Sequence, residues 1–222
     1  MCSGSDTPFL ITGEVGPHLD DFLTLIAFAA EPYHAFVYDS LEQAAQADRL
    51  LFSAAVAEFS PPAVRLLLAG TQVAGAAAAL PGSLLRQRRL ASALTLARTK
   101  TAGQTLHAGL RRRIRLANQV LLRVPDDEYY VSRIAVAKPF RRRGAGRALL
   151  TELLHEAQHF GYKRCLLEVN PRNEAALALY ERCGFERLVV KEVIDPQTGR
   201  SLQYAHMACC LATIGEHRKG TS

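Results

Sequence analysis

No stretch of this sequence approaches the roughly 18–20 uninterrupted apolar residues that a membrane-spanning helix requires, so no membrane span is predicted. The first residues, MCSGSDTPFL, also lack a basic region followed by an apolar run. A secretory signal needs that pattern, and none is predicted here.

Cysteine is scarce, odd in number and poorly spaced for disulfides or zinc. The sequence has five cysteines, and none belongs to a CxxC pair accompanied by histidines. We therefore expect neither a disulfide framework nor a metal site, and a reducing cytoplasm is the predicted location. Buried free thiols are the simplest interpretation of Cys165 and Cys209. The five cysteines are Cys2, Cys165, Cys183, Cys209 and Cys210.

Acidic and aromatic residues are both missing from residues 82–125, although the stretch holds ten Lys and Arg residues. The formal net charge of the whole chain is +6, so the remainder is mildly acidic. Without aromatic rings this stretch is not predicted to stack on nucleic-acid bases. An acidic partner, whether RNA backbone, protein or membrane surface, remains an open alternative. The ten are Arg86, Arg88, Arg89, Arg98, Lys100, Arg111, Arg112, Arg113, Arg115 and Arg123.

The composition suits one domain with an ample core, since 49% of the 222 residues are hydrophobic and 22% are charged. In the first half the pattern predicts a strand over residues 9–15 and helices over 18–30 and 41–59. Ser40 and Gln43 have the spacing of a capping box, and Pro32 and Pro61 are expected to stop these helices. Two apolar runs around Gly70 predict a β-hairpin over residues 63–80.

Residues 83–123, called the basic insert below, are predicted to be helical, with Gly103 separating two helices. Apolar residues recur there at three- and four-residue spacing, which places them on one face and the arginines on the others. The simplest interpretation is a helical pair that covers a sheet edge or a dimer seam, so a homodimer is compatible with the sequence. The apolar stripe consists of Leu106, Leu110, Ile114, Ala117 and Leu121.

The second half predicts a strand at 129–137, a helix ending near Phe160, a strand at 163–169 and a helix at 173–183. Gly161 and Gly184 are expected to end these helices. Two further strands flank the turn DPQTGR, and the tail is polar. The strand–helix–strand unit at 129–169 predicts two parallel strands with a right-handed connection. The strands on either side of the basic insert should instead be antiparallel neighbours, which places the insert at the sheet end opposite the loop KPFRRRGAG.

That loop carries the strongest chemical signal, because it lies where a strand ends and a helix begins. Free backbone N–H groups in a first helical turn make an anion site, and Gly144 and Gly146 would let the backbone approach phosphate oxygens. A solvated basic helix start is the plainer alternative. The arginines that add positive charge are Arg141, Arg142, Arg143 and Arg147.

Two other phosphate-binding motifs fit less well. A Walker A loop is absent because no Gly-Lys-Ser/Thr occurs. A dinucleotide fingerprint would need a third glycine where Leu149 stands, although Glu168 falls about 20 residues on, where a ribose-binding acid would lie. A nucleotide-binding interpretation therefore stays open on this loop alone.

A second motif narrows the choice. NEAALALYERCGF places Asn173, Ala176, Tyr180 and Gly184 on one helical stripe. With the Arg-x-x-Gly-x-Gly turn of residues 141–146, this region resembles the GNAT N-acetyltransferases over about 84 residues, 128–211. The N-terminal half agrees with that family only in the order of its elements.

The resemblance implies an α/β fold with a mixed, mostly antiparallel sheet of about seven strands and a splayed parallel pair. It implies a single domain over residues 1–222, with the acyl-CoA-binding core at 128–211. It also implies acetyl-CoA as cofactor, its pyrophosphate held by residues 141–147 including Ala145. The pantetheine arm would pair with the backbone of Ile134, Ala135 and Val136, with Asn173 near it and the Val136 N–H as oxyanion donor.

For catalysis, the resemblance implies that Tyr180 protonates the leaving thiolate, since a phenol stays protonated at neutral pH. A core aromatic is the alternative for this residue. Glu168 is the preferred base, Glu128 is the other candidate, and a water relay supported by Tyr130 and Ser132 is a third possibility. No cysteine lies where the family would place a nucleophile, so direct transfer in a ternary complex is expected.

The predicted function is acetyl transfer to a primary amine of a small molecule or a peptide N-terminus. Two alternatives stay open: an acyl-CoA-binding regulator without turnover, and acetylation of an RNA-bound amine such as aminoacyl-tRNA. Residues 31–39 and 195–200 are expected to line the acceptor site. The ten positive charges are not expected to bind cofactor.

Overall fold

The computed structural model describes residues 9–98 and 108–211, so Cys2, Gly103, Leu106 and the predicted polar tail lie outside the described part. Its seven strands form one sheet in the order β1-β2-β3-β4-β5-β7-β6. Among the described strands, β4 and β5 pair in parallel and the other five pairs are antiparallel, which confirms the predicted fold class. The strands are β1 (Phe9–Thr12), β2 (Val64–Ala69), β3 (Gln72–Pro81), β4 (Tyr129–Val136), β5 (Arg164–Val169), β6 (Glu186–Ile194) and β7 (Ser201–Cys210).

Helices cover both faces of this sheet. One face packs against α6 and α7, where Leu149, Leu150 and Leu153 are fully buried. The opposite face packs against α1 and the segment after α3, with Phe22 and Ile26 fully buried. The helices are α1 (Leu19–Ala29), α2 (Glu31–Val37), α3 (Leu41–Ser53), α4 (Gly82–Arg98), α5 (Ala108–Val120), α6 (Ala145–His159) and α7 (Glu174–Arg182). None of those in the described ranges is long and apolar enough to cross a membrane.

Two predicted boundaries in the first half were wrong. The first strand ends at Thr12, and the helix predicted over 41–59 ends at Ser53. Beyond that helix the chain turns at Ala55, with φ +54°, and buries Phe59. Pro32 follows the end of α1 but begins α2, because a proline in the first turn loses no helical hydrogen bond. The predicted cap is confirmed: Ser40 Oγ accepts from the Gln43 N–H at 3.2 Å.

The basic insert consists of α4 and α5 in the described residues. The apolar stripe is confirmed there: Ala117 is buried, and Leu110, Ile114 and Leu121 pack around it. β3 and β4 are antiparallel neighbours, as predicted. One expectation was wrong, since Arg113 is only 5% exposed instead of facing outward. Its guanidinium donates to the Val37 carbonyl at 2.7 Å.

The parallel pair β4–β5 separates towards its C-terminal end. Pairing covers three positions and stops at Val131 and Leu167. β4 also carries a bulge, because Val131 pairs with Ala79 and Arg133 with Ala78, leaving Ser132 as the extra residue. Beyond the bulge, residues 134–136 pair with β3 alone, so their other edge is not paired with a strand of the described sheet.

The four described cysteines are free, and Cys165 and Cys209 are buried, as predicted. Burial raises the pKa of the Cys165 thiol well above its ordinary value. Both thiols therefore stay protonated at neutral pH and belong to the core.

Candidate active site

The predicted phosphate loop begins α6 in the geometry of an anion site. Gly144 is the N-cap residue, with φ +83°, and no side chain caps the helix. The amides that follow it have no intrahelical acceptor, so they point out of the helix end. An added Cβ at Gly144 would meet nothing within 4 Å, so space does not require a glycine there. The positive φ is what favours glycine at this position.

Gly146 has a different reason to be glycine. A Cβ there would lie 3.2 Å from Leu179 Cδ2 and 3.5 Å from Val136 Cγ2. The residue therefore lets α6 pack closely against both β4 and α7. This packing is a second reason for glycine at 146, and the predicted approach to phosphate stays a prediction.

Of the four loop arginines, one contacts other parts of the protein and three have no ion-pair partner among the described residues. The Arg141 guanidinium lies 5.0 Å from the centre of the Phe28 ring, and its Nε donates to the Val136 carbonyl at 3.0 Å. Arg142, Arg143 and Arg147 are exposed and have no ion-pair partner among the described residues. The loop therefore offers these three cations next to the free amides of the helix end, which is the kind of environment that binds anions.

The α7 motif residues lie beside this loop. Asn173 caps α7, its Oδ1 accepting from the Ala176 N–H at 3.1 Å. Tyr180 is 5% exposed and packs against Phe185, with ring centres 5.9 Å apart. Burial raises the pKa of Tyr180 well above its ordinary value, so the hydroxyl stays protonated. Within the described residues this hydroxyl has no hydrogen-bond partner, which leaves it available as a donor.

A cavity of about 870 Å³ opens on the sheet face away from α6. Its floor is made by side chains of β4, β5 and β7, and its walls come from α1–α3 on one side and from the basic insert on the other. The volume is in the range of ordinary ligand sites. Floor residues include Tyr130, Ser132, Arg133, Glu168 and Tyr204.

Glu168 occupies the part of this floor where β4 and β5 separate. One carboxylate oxygen accepts from the Tyr130 hydroxyl at 2.9 Å, and the other accepts from the Leu122 N–H. Burial raises the pKa of Glu168 to about 7, while the nearby Arg89 and the two hydrogen bonds oppose that rise. A carboxyl group that titrates near neutrality can act as a general base.

Glu128, the other candidate base, lies elsewhere. It precedes the first residue of β4, and its Oε1 is 2.6 Å from Arg164 Nη1. The cavity lining includes Glu168 and does not include Glu128. The geometry therefore brings Tyr130, Ser132 and Glu168 together and leaves Glu128 outside.

Several cavity residues were missed by sequence reasoning. Arg133 and Arg89 both lie beside Glu58, at 3.8 and 3.6 Å, and His34 lies 3.3 Å from Asp48. The predicted acceptor segment 31–39 does contribute Tyr33, His34 and Tyr38 to the wall. The segment 195–200 does not line the cavity. It is held instead by Arg112, which donates to both Asp195 oxygens, at 3.0 and 2.9 Å.

The described residues contain no cluster of three or more His, Cys, Asp or Glu side chains arranged to hold a metal ion.

Comparisons with known proteins agree with this arrangement. The model of the acetyltransferase (GNAT) family matches residues 86–185. The ribosomal protein bS18-alanine N-acetyltransferase of Escherichia coli K12 is 37% identical over 84 residues, covering 38% of this chain and 57% of that protein. N-alpha-acetyltransferase RimI of Mycobacterium tuberculosis is 46% identical over 66 residues, covering 30% of this chain and 40% of that protein. The matches thus span about half the length of these curated relatives.

Solved structures extend the likeness of fold to most of the chain. An N-acetyltransferase from Staphylococcus aureus Mu50 superimposes with a TM-score of 0.64 at 20% identity, covering 90% of this chain and 99% of that one. The S18-alanine N-acetyltransferase from Escherichia coli gives a TM-score of 0.51 at 21% identity, covering 95% and 98%. Residues 86–185 thus match the GNAT acetyltransferase family, and the fold of nearly the whole chain is that of solved acetyltransferases.

Proposed function

We propose that this protein transfers the acetyl group of acetyl-CoA to a primary amine, and that the preferred amine is the N-terminus of a peptide or protein. The observation that carries the proposal is Glu168, a carboxyl with a pKa of about 7 at the point where the parallel strands separate. The curated relatives act on protein N-termini, and one is named for alanine. That supports an α-amine, with alanine as the first residue to test.

The residues present fit acetyl-CoA. The free amides that begin α6 and the open arginines of the loop suit its pyrophosphate. The strand edge of residues 134–136, which faces away from β3, suits the amides of the pantetheine arm. When bound, acetyl-CoA supplies an acetyl thioester activated towards amines.

Each protein group then has one task. Glu168 accepts a proton from the acceptor amine, so that nitrogen can form its bond to the acetyl carbon. The Val136 N–H stabilises the charge that develops on the acetyl oxygen. Tyr180 donates its proton to the sulfur as the C–S bond breaks. The chain offers no cysteine for a covalent intermediate in the cavity lining, so a direct transfer is proposed.

A screen of acceptors tests this function. CoA release and product mass would be measured for peptides beginning with Ala, Ser, Met or Gly and for a panel of small amines. The matched control is the same Ala peptide with its N-terminus blocked and an internal lysine left free. We expect release with the free N-terminus and at most background release with the blocked peptide.

Two results would decide against the proposal. Release that follows the internal lysine or a small amine would reassign the acceptor. Tight acetyl-CoA binding by calorimetry, with no release for any amine, would instead indicate a binding module without turnover.

A further inference from the structure

Four arginines of the basic insert hold it on the rest of the molecule. On α4, Arg86 lies 2.7 Å from Asp126 and Arg89 lies 3.6 Å from Glu58. On α5, Arg112 lies 2.9 Å from the buried Asp195, and Arg113 lies 2.8 Å from Asp39. These pairs give four of the positive charges a carboxylate partner and fix the insert as a wall of the cavity.

The other two arginines of α5 have no carboxylate partner among the described residues, and both line the cavity. Arg111 and Arg115 line it and are exposed, and neither has a carboxylate or hydrogen-bond partner among residues 9–98 and 108–211. They are four residues apart, so they lie on one side of the helix about one turn from each other. Two neighbouring guanidinium groups on one wall make a local excess of positive charge.

The other charged groups of the cavity do not offset that excess. Glu58 lies between Arg89 and Arg133, and Asp48 lies against His34. Glu168 is held by Tyr130 and Leu122 and has a pKa of about 7, so it carries at most part of a charge at neutral pH. A ligand that enters along α5 therefore meets two unpaired cations.

We propose that the acceptor carries acidic side chains shortly after its amine and that Arg111 and Arg115 bind them. This deepens the proposed function and rests on it, because it assumes that the reacting amine lies at Glu168. The end of α5 is attached to that site by the Leu122 N–H, which binds the Glu168 carboxylate. The distance along α5 from Leu122 to each arginine therefore sets how far from the reacting amine the acidic residues must lie.

The length of chain between Leu122 and the two arginines places the acidic residues at about the fourth to the sixth residue of the acceptor. Arg115 precedes Leu122 by seven residues and Arg111 by eleven, which is roughly 10 and 16 Å along a helix that rises about 1.5 Å per residue. An extended chain advances about 3.3–3.6 Å per residue. An acceptor running back along α5 thus reaches Arg115 about three residues, and Arg111 about five residues, after its first.

A peptide fits these observations better than RNA does. The cavity has a bounded volume of about 870 Å³, and its insert wall offers arginine without aromatic rings on which bases could stack. Carboxylates bind guanidinium groups through paired hydrogen bonds. An acidic N-terminal segment is therefore the partner to test, and transfer RNA is the competitor to compare with it.

The experiment uses three peptides of about twelve residues that begin with alanine. The first has Glu at positions 3–6, the second has the same Glu residues moved to positions 9–12, and the third has Gln at all of these positions. A fluorophore at the C-terminus allows binding to be followed by anisotropy, alongside CoA release. We expect kcat/KM for the first peptide to exceed the other two by about tenfold, as two exposed ion pairs within their usual range of strength would give.

The variants isolate the two arginines. In Arg111→Gln/Arg115→Gln, the ratio between the first and third peptides should fall to about one, mainly through KM. The matched control is Arg98→Gln/Arg123→Gln, which removes two exposed arginines that also lack a described partner and lie outside the cavity lining. That control should keep the ratio, and added salt should lower it in the parent protein.

Three results would overturn the inference. The first is an equal kcat/KM for the first two peptides, and the second is loss of the preference for the first peptide over the third in the control variant. The third is displacement of the labelled peptide by transfer RNA at a lower concentration than by the acidic peptide. A failure of the proposed function would look different. If no amine releases CoA but the first peptide still binds the parent more tightly than the Arg111/Arg115 variant, the activity is wrong and the acidic-ligand site stands.

Discussion

The two halves of the proposed active site are built in different ways. On the proposed cofactor side, a turn, a helix end and a strand edge present backbone groups, and the residues that shape them lie close together in the chain, as Gly144 and Gly146 do. On the proposed acceptor side, the cavity is built from side chains of five or more elements. His34 and Glu168 line the same space although 134 positions separate them in the chain.

The comparison teaches which half a sequence motif can describe. Backbone amides bind phosphate whatever the neighbouring side chains are, so a short pattern of glycine and arginine is sufficient. An acceptor site depends on which side chains meet across the fold. The curated matches accordingly cover 38% or less of this chain, whereas the likeness of fold covers about nine-tenths of it.

The largest expected effect separates the two candidate bases. Glu168→Gln should lower kcat about 10³-fold, because the amide cannot accept the proton, while acetyl-CoA affinity stays the same. Calorimetry with acetyl-CoA and a CoA-release assay measure the two quantities. The matched control is Glu128→Gln, which should change kcat by less than about twofold. A larger loss in the control would move the base out of the cavity.

The next effect separates two buried tyrosines. Tyr180→Phe should lower kcat about 10²-fold with little change in stability, since its hydroxyl has no described partner and its ring packing is kept. Tyr129 is the matched control, because its hydroxyl donates to Glu156 at 2.8 Å on the same side of the sheet. Tyr129→Phe should cost about 1 kcal/mol of unfolding free energy and leave kcat unchanged. Unchanged turnover in Tyr180→Phe would leave that residue as a core aromatic.

A third effect concerns pH and has opposite signs for activity and stability. Because the pKa of Glu168 is raised to about 7, the folded state holds a proton that the unfolded chain has released above its ordinary value near 4.5. Stability from this group is therefore present at low pH and falls as pH rises through that window, while kcat/KM rises. Thermal melts of the parent and Glu168→Gln between pH 5 and 8 measure the difference. The parent should lose stability relative to the variant as pH rises, and parallel curves would contradict the raised pKa.

The smallest effect tests the phosphate turn. Gly144→Ala places a Cβ at φ +83° where nothing lies within 4 Å, so its cost of about 1–2 kcal/mol is purely one of backbone conformation. Gly161→Ala is the matched control, at φ +81° and equally open, at the other end of α6. Both should lower stability alike, but only Gly144→Ala should weaken acetyl-CoA binding, by a few-fold. Equal affinities would show that the turn does not hold the cofactor.

The sequence predicted the sheet, the order of its elements and the two motifs because those depend on local periodicity and on capping. Glu168 could be chosen as a candidate base because it lies at the end of a predicted strand, and the structure places it in the cavity lining. Arg89, Glu58 and Arg133 were missed because their contacts join distant segments, and no spacing in the chain shows that they meet. The absence of acidic residues around Arg111 and Arg115 was a usable signal, but their position on the cavity wall depended on how α5 packs.

The bulge at Ser132 changes which residues of β4 face the core partway along the strand. Before it, the odd-numbered Tyr129 and Val131 join the core beneath α6; after it, the even-numbered Ile134 and Val136 do so. The strand therefore has two patterns of alternation that meet at one point, where the consecutive residues 132 and 133 both line the cavity. Removing Ser132 would join the two patterns into one regular alternation that keeps Val131 and Ile134 towards the core and Arg133 towards the cavity, so the deletion should be tolerated far better here than elsewhere in the strand.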